Sequence, residues 1–117
     1  MSNQRIEFTA KGVDYGEAGD IVQISFDEDP EDDPMSRTQR YFMISQNYEF
    51  SGKPTLEWHN GIDYDAGSEI IDYTFTRDLF EVTLKNGVSF NIRHRCSKSV
   101  FMSIQAFLES EYTRRDA

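Results

Sequence analysis

Apolar and polar residues alternate most clearly between Ile70 and Ile92, in the stretch IIDYTFTRDLFEVTLKNGVSFNI. A period of two, built from β-branched and aromatic residues, is typical of strands that bury one face. The stretch therefore predicts three consecutive antiparallel strands. Their apolar positions are Ile71, Tyr73 and Phe75, then Phe80, Val82 and Leu84, then Val88, Phe90 and Ile92.

The turns of this meander follow from the rule that opposed residues share a face of the sheet. A two-residue turn at 77–78 satisfies the rule, whereas the second turn needs a three-residue loop at 85–87 with Gly87 left-handed in a bulge. The predicted pairs are Phe75 with Phe80, Tyr73 with Val82 and Ile71 with Leu84, then Leu84 with Val88, Val82 with Phe90 and Phe80 with Ile92.

Weaker alternation predicts further strands at 4–10, 20–26, 40–46 and 55–58. The strand at 40–46 is apolar on both parities, which favours a central position in the sheet. The glycine-rich segment 11–19 is expected to be a turn, and the segment 63–67, DYDAG, a polar loop.

The chain after the meander has the pattern of one amphipathic helix. Ser97 or Ser99 can cap its start, and it is expected to run to about Tyr112. Its apolar stripe consists of Val100, Phe101, Ile104, Phe107 and Leu108. The fold class is thus α+β: a single domain over residues 1–117, with an antiparallel sheet of about six or seven strands and the helix packed on one face.

The composition fits a globular protein of a reducing compartment. Hydrophobic residues make up 38% of the 117 residues, and the one cysteine, Cys96, cannot form an internal disulfide. The polar N-terminal stretch has no apolar signal-peptide core, and no apolar run approaches the roughly 20 residues that span a bilayer. The expected location is cytoplasmic.

Charge is distributed unevenly along the chain, which carries a net charge of -9. Residues 1–36 hold ten carboxylates and two cations, whereas residues 37–117 hold eleven carboxylates and ten cations. Such an acidic region disfavours binding to nucleic acid or an anionic membrane and favours a basic partner.

Six of the acids lie in the proline-interrupted segment 27–34, which is predicted to be an exposed loop. It can be a solvated loop, a surface that docks into a basic site of another protein, or a calcium site. The spacing lacks the glycine and the distal bidentate glutamate of an EF-hand loop, so no metal is assigned to it.

Aromatic residues near further carboxylates add hot-spot candidates for a protein interface, although a core position for Trp58 is an equally good interpretation. The candidate partner-binding residues are Asp27, Glu28, Asp29, Glu31, Asp32, Asp33, Tyr48, Phe50, Trp58, Asp63, Tyr64 and Asp65.

Catalytic motifs are absent from the sequence: it has no G-x-S-x-G, phosphate-binding glycine loop, H-E-x-x-H or C-x-x-C. Asp63, Asp65 and Asp72 with His59 form an enzyme alternative that requires them to converge on a concave pocket. Ordinary surface positions explain them better, so no enzyme activity and no cofactor are expected.

The strand RYFMISQ, the short strand LEW and the later LFEVTL strand, followed by the final helix, resemble the tenth immunity-protein family of bacterial polymorphic toxin systems. The resemblance covers about residues 40–112. It implies a cytoplasmic protein that binds a cognate toxin and neutralises it by occlusion.

Two alternatives to the immunity function stay open. One is a small non-catalytic protein-binding or scaffold module. The other is a DNA mimic, which needs a regular ridge of carboxylates and is disfavoured by Pro30 and Pro34 in the acidic loop.

Overall fold

The computed structural model describes residues 4–29, 39–50 and 52–112, and in these ranges it has nine strands and one helix. The α+β class is confirmed, but the strands form two sheets instead of one, and they outnumber the predicted six or seven. The elements are β1 (Gln4–Ala10), β2 (Gly12–Ala18), β3 (Ile21–Asp27), β4 (Tyr41–Asn47), β5 (Thr55–His59), β6 (Tyr64–Ala66), β7 (Ile70–Phe75), β8 (Leu79–Leu84), β9 (Val88–His94) and α1 (Lys98–Glu111).

The predicted meander is present as β7, β8 and β9, with both turns of the expected length. Thr76 N–H donates to the Leu79 carbonyl at 2.8 Å across the first turn. At the second turn Gly87 has φ 96° and donates to the Leu84 carbonyl at 3.0 Å. The register confirms the pairs Phe75 with Phe80, Tyr73 with Val82, Val82 with Phe90 and Phe80 with Ile92.

The pairing predicted for Ile71 is wrong. Ile70 lies opposite Leu84, because the register of β7 shifts between Ile70 and Asp72. Ile70 is consequently buried, whereas Ile71 is 44% exposed. An extra residue in one strand reverses the faces beyond it, and simple counting by twos cannot detect it.

The smaller sheet has the strand order β1-β9-β8-β7, and β1 joins it in parallel with β9. Its apolar face includes Ile6, Phe8 and Ala10 of β1, all of which are buried. Because β1 and β9 run in the same direction, both strands end at the same edge of the molecule, with Ala10 opposite His94.

The larger sheet has the order β2-β3-β4-β5-β6, and it corrects two expectations. Segment 11–19 is not a turn, since β2 pairs with β3 along its full length and packs Val13 and Tyr15 against the core. Segment 63–67 is not only a loop, since β6 pairs with β5. The central position predicted for β4 is confirmed.

The two sheets share one core through their apolar faces. The ring of Phe26 stacks on Phe80 at 4.8 Å between centroids, and Phe42 lies 4.7 Å from Phe90. Trp58 meets Phe90 edge-on at 5.7 Å. These contacts join β3, β4 and β5 of the larger sheet to β8 and β9 of the smaller one. The hydrophobic core, which was expected between the helix and a single sheet, therefore lies mainly between the two sheets.

Helix α1 closes against this core, and its predicted cap is confirmed. The Ser97 side chain accepts a hydrogen bond from Val100 N–H at 3.2 Å. Ile104, Phe107 and Leu108 are buried in the common core. Phe101 stacks on Phe75 of β7 at 5.0 Å. Among the residues that the structure describes, no helix combines the length and apolar composition needed to span a bilayer.

Replacing Trp58 tests its assignment to the core. Trp58→Ala removes a side chain that is 1% exposed, so we expect the free energy of unfolding to fall by about 3–5 kcal/mol. Phe50→Ala is the matched control, because Phe50 is 66% exposed and its loss should change stability by about 0.5 kcal/mol or less. Urea unfolding followed by circular dichroism measures both variants, and equal effects would contradict the assignment.

Candidate functional site

The outward face of the larger sheet brings together side chains that are far apart in sequence. Asp27 lies opposite Tyr41, Tyr41 opposite His59, and His59 opposite Tyr64, which gives a continuous line across β3, β4, β5 and β6. Glu57 lies on the same face, two residues before His59. We call Asp27, Tyr41, Glu57, His59 and Tyr64 the tyrosine–acid row.

Tyr41 is the fixed centre of the row. Its hydroxyl donates to the Glu57 carboxylate at 3.3 Å, and its ring stacks with His59 at 6.2 Å and an interplanar angle of 25°. Burial, followed by the charge of Glu57, raises the pKa of Tyr41 to about 12. The phenol therefore stays neutral and keeps a hydrogen to donate throughout the physiological range.

Asp27 is a half-buried carboxylate at one end of the row. Burial raises its pKa, the charge of Asp14 acts in the same direction, and a hydrogen bond with Ser25 opposes the shift. Because a desolvated carboxylate gains from an added cation, Asp27 is well suited to pair with a lysine or arginine from a binding partner.

Charge differs sharply between the two sheets. The five strands of the larger sheet contain five carboxylates and no lysine or arginine, whereas those of the smaller sheet contain three carboxylates and two arginines. The larger sheet's carboxylates are Asp14, Glu17, Asp27, Glu57 and Asp65. The asymmetry along the sequence thus becomes an asymmetry between sheets, and the tyrosine–acid row lies on the acidic one.

Exposed aromatic and aliphatic side chains lie at two places on this face, one beside the row and one at the opposite end of the strands. Tyr64 is 58% exposed, and Phe50 is 66% exposed. Phe50 and Ile21 line a shallow groove of about 420 Å³ together with Gln23, Ser45 and Thr55 of the outward face. Tyr48 is 51% exposed, and its hydroxyl donates to Glu111 at 2.9 Å. The face therefore offers apolar area at two places beside its carboxylates.

Trp58, one of the predicted partner-binding residues, is not available at the surface. It is 1% exposed and packs against Phe90, because its parity on β5 points it between the sheets. The alternative of a core position is therefore confirmed. Its neighbours Glu57 and His59 occupy the outward face instead.

The residues of the enzyme alternative do not converge on one site. Asp72 lies on β7 of the smaller sheet, whereas His59, Asp63 and Asp65 belong to β5, β6 and the loop between them in the larger sheet. Asp65 is exposed, and its carboxylate accepts a hydrogen bond from Ala66 N–H at 2.8 Å. In the described parts of the chain, no group of three or more histidine, cysteine or acidic side chains could hold a metal ion.

The acidic segment is only partly described. Glu28 forms an ion pair with Arg40, which lowers the pKa of Glu28 through the hydrogen bonds of the guanidinium. Asp29 N–H donates to the Gln39 side chain at 3.2 Å. The remaining predicted acids, Glu31, Asp32 and Asp33, lie outside the described residues. Glu28 therefore already has a cationic partner within the protein.

Tyr41, Glu57 and His59 were missed as candidates for partner binding, and His59 appeared only in the enzyme alternative. One signal in the sequence could have found Tyr41: it has the opposite parity to Phe42 and Ile44 in a strand that is apolar on both sides. The contact between Tyr41 and Glu57 depends on the pairing of β4 with β5, which the pattern of either strand alone does not fix.

Compared with known proteins, the sequence matches no family model and no curated protein. The resemblance to an immunity-protein family stays an expectation from the sequence.

The raised pKa of Asp27 has a measurable effect on stability. The ionised side chain is penalised by burial, so the penalty is present above the raised pKa and disappears below the ordinary value of 3.8. We expect Asp27→Asn to be more stable than the original protein at pH 7, with the difference shrinking as the pH falls towards 3.8. Urea unfolding at a series of pH values measures this difference.

Asp72→Asn is the control for the loss of one negative charge from an acidic protein, because Asp72 is exposed on the other sheet. A gain at neutral pH that is equal in both variants would contradict a specific burial penalty at Asp27.

Proposed function

We propose that the chain is an immunity protein that binds a basic bacterial toxin through the tyrosine–acid row and neutralises it by occlusion. The observation that carries the proposal is the outward face of the larger sheet, whose strands lack cations and expose tyrosines beside half-buried carboxylates. The family resemblance of the sequence points to the same function. The toxin and its inhibitor would meet in the cytoplasm.

The charge of the larger sheet supports fast recognition of a basic partner. Its five strands carry five carboxylates against no lysine or arginine, and the whole chain has a net charge of -9. A surface of one sign raises the local concentration of an oppositely charged protein and speeds association, and salt weakens the effect. An inhibitor of a toxin benefits from such speed, because every free toxin molecule can do damage.

The tyrosines support slow dissociation. Tyrosine supplies a large contact area at low cost in conformational entropy and is enriched among interface hot spots. Tyr41 is already held by Glu57 and stacked on His59, so binding need not order it. Tyr64 is exposed at the edge of the row and can close over a partner side chain.

The scaffold suits an inhibitor that acts by covering a surface. The row lies on paired strands, and sites on strands are positioned more accurately than sites on loops. The aromatic contacts between the sheets hold the larger sheet from behind. A rigid face of this kind binds with little rearrangement.

The alternative function is a scaffold module that uses the same face for a partner that is not a toxin. The exposed Phe50 and Ile21 groove, at the end of the face away from Tyr64, favours this alternative because it offers apolar area apart from the carboxylates. Protection of cells separates the two functions, since a scaffold module gives none.

Neutralisation is tested by growth rescue. The product of the gene adjacent to the gene for this chain is expressed in a bacterial host with and without the chain. We expect the product to stop growth alone, the chain to restore growth, and a pull-down to recover both proteins together. A harmless product, or a toxic product that the chain neither binds nor blocks, contradicts the immunity function.

Variants of the row test separately whether its carboxylates speed association and whether its tyrosines slow dissociation. We expect Asp27→Asn with Glu57→Gln to lower the association rate and its dependence on salt. We expect Tyr64→Ala to raise the dissociation rate about tenfold, the effect of losing about 1.4 kcal/mol at a hot spot. Surface plasmon resonance with the toxin at several salt concentrations measures both rates.

Asp72→Asn and Thr74→Ala, on the outward face of the smaller sheet, are the matched controls for charge and for side-chain truncation. If these controls change the rates as much as the variants of the row do, the toxin binds another surface.

A further inference from the structure

A basic recess lies where β1 and β9 end, apart from the tyrosine–acid row. It has a volume of about 500 Å³ and is lined by Thr9, Ala10, Lys11, Asp78, Arg93, His94 and Arg95. Three cations and one carboxylate give this lining a net charge of about +2. That sign is opposite to the net charge of -9 on the chain.

The parallel pairing of β1 with β9 brings the cations together. Thr9 lies opposite Arg93 and Ala10 opposite His94, so Lys11 and Arg95 follow at the same edge as the two strands end. Like charges gathered at one edge repel one another, and the repulsion costs stability unless negative charge is supplied.

Two carboxylates near the recess already form ion pairs with other cations. The Glu7 carboxylate is bound to Arg5 at 2.7 Å, and Arg5 followed by Arg93 lowers its pKa. The Glu28 carboxylate is paired with Arg40, and Arg40 followed by Lys11 lowers its pKa. Within the described ranges, Lys11, Arg93 and Arg95 take part in no ion pair.

Asp78, the carboxylate of the lining, is also engaged. Its side chain accepts the Thr76 hydroxyl at 2.9 Å, and its backbone carbonyl accepts His94 N–H at 3.1 Å. The cations of the recess therefore keep free hydrogen-bonding capacity.

His94 belongs to the lining and is an unusual residue for a protein interior. It is 3% exposed, and its ring lies close to the backbone of Leu79 and Thr76. Its ring stacks on Phe75 at 5.4 Å and meets Phe26 edge-on at 5.6 Å. The imidazole therefore faces the core, on the opposite side of β9 from the outward-facing Arg93 and Arg95, and reports on the recess as their neighbour along the strand.

We propose that this recess is an anion-binding site for a phosphate group of a small molecule, held by Lys11, Arg93 and Arg95, with the Thr9 hydroxyl as a further donor. Arginine guanidinium groups match the geometry of phosphate oxygens and bind them in a bidentate manner. Lysine supplies a compact third charge. A volume of about 500 Å³ lies within the range of small-molecule sites, so the phosphate can carry an organic group of moderate size.

The two histidines of the chain provide a direct test with the complete protein. His94 lines the recess, and His59 lies in the tyrosine–acid row, so the first reports on the site and the second is an internal control. Sodium pyrophosphate is titrated at constant pH and ionic strength while the imidazole resonances are followed by NMR. We expect a saturable shift of the His94 resonances and none of the His59 resonances. Equal shifts of both histidines, or no saturation, overturn the proposal.

Charge variants identify the residues that hold the anion. We expect Arg93→Gln and Arg95→Gln each to weaken pyrophosphate binding about tenfold, the usual effect of losing a charge-assisted hydrogen bond. Lys85→Gln is the matched control, because it removes one positive charge from an exposed position outside the recess. If the control weakens binding as much as the arginine variants do, the effect is general and the recess is not the site.

A second arm of the experiment distinguishes a small molecule from nucleic acid. A short single-stranded DNA offers the same phosphate chemistry. Its many negative charges are repelled by the net charge of -9 on the chain more strongly than those of pyrophosphate are. We therefore expect pyrophosphate to shift His94 at lower phosphate concentration than the oligonucleotide does. Tighter binding of the oligonucleotide overturns the small-molecule assignment. Failure of either arm leaves the toxin-binding proposal unaffected, because the row and the recess share no residue.

Discussion

The aromatic contacts between the two sheets are the constraint on which the rest of the structure depends. Phe26, Phe42 and Trp58 of the larger sheet meet Phe80 and Phe90 of the smaller one. Because strand side chains alternate, burying one parity of each strand forces the other parity outward. The position of every outward residue follows from this layer. The tyrosine–acid row is therefore a consequence of core packing as much as of surface composition.

Local patterns were enough to predict the meander in detail, because alternation and turn geometry act over a few residues. They failed where pairing is non-local. The glycine-rich β2 has a weak pattern of its own and exists because β3 pairs with it along its whole length. The parallel contact of β1 with β9 joins residues 4–10 to residues 88–94 and leaves no local signal. The bulge after Ile70 is a single inserted residue that periodicity cannot locate.

The candidate site shows the same division. The sequence revealed the excess of acid and the aromatic loops, and its candidates included Asp27 and Tyr64 of the row, but it also named Glu28 and Trp58. The structure ties Glu28 to Arg40 and buries Trp58, and it assembles the row from four strands. Tyr41 and Glu57 are 16 residues apart, and only the register between β4 and β5 makes them neighbours. Burial and cross-strand proximity are the two quantities that single-strand patterns leave undetermined.

Asp27 carries an electrostatic cost that core packing does not explain. Its carboxylate is held where burial disfavours the charge, although an asparagine would keep the shape without the penalty. Groups that oppose stability are a recurrent feature of functional sites. Most outward positions of a sheet can change without disturbing the core, so a costly charge at such a position is not explained by packing. The cationic partner that we propose for the larger sheet would supply the missing interaction without any change in the aromatic layer behind it.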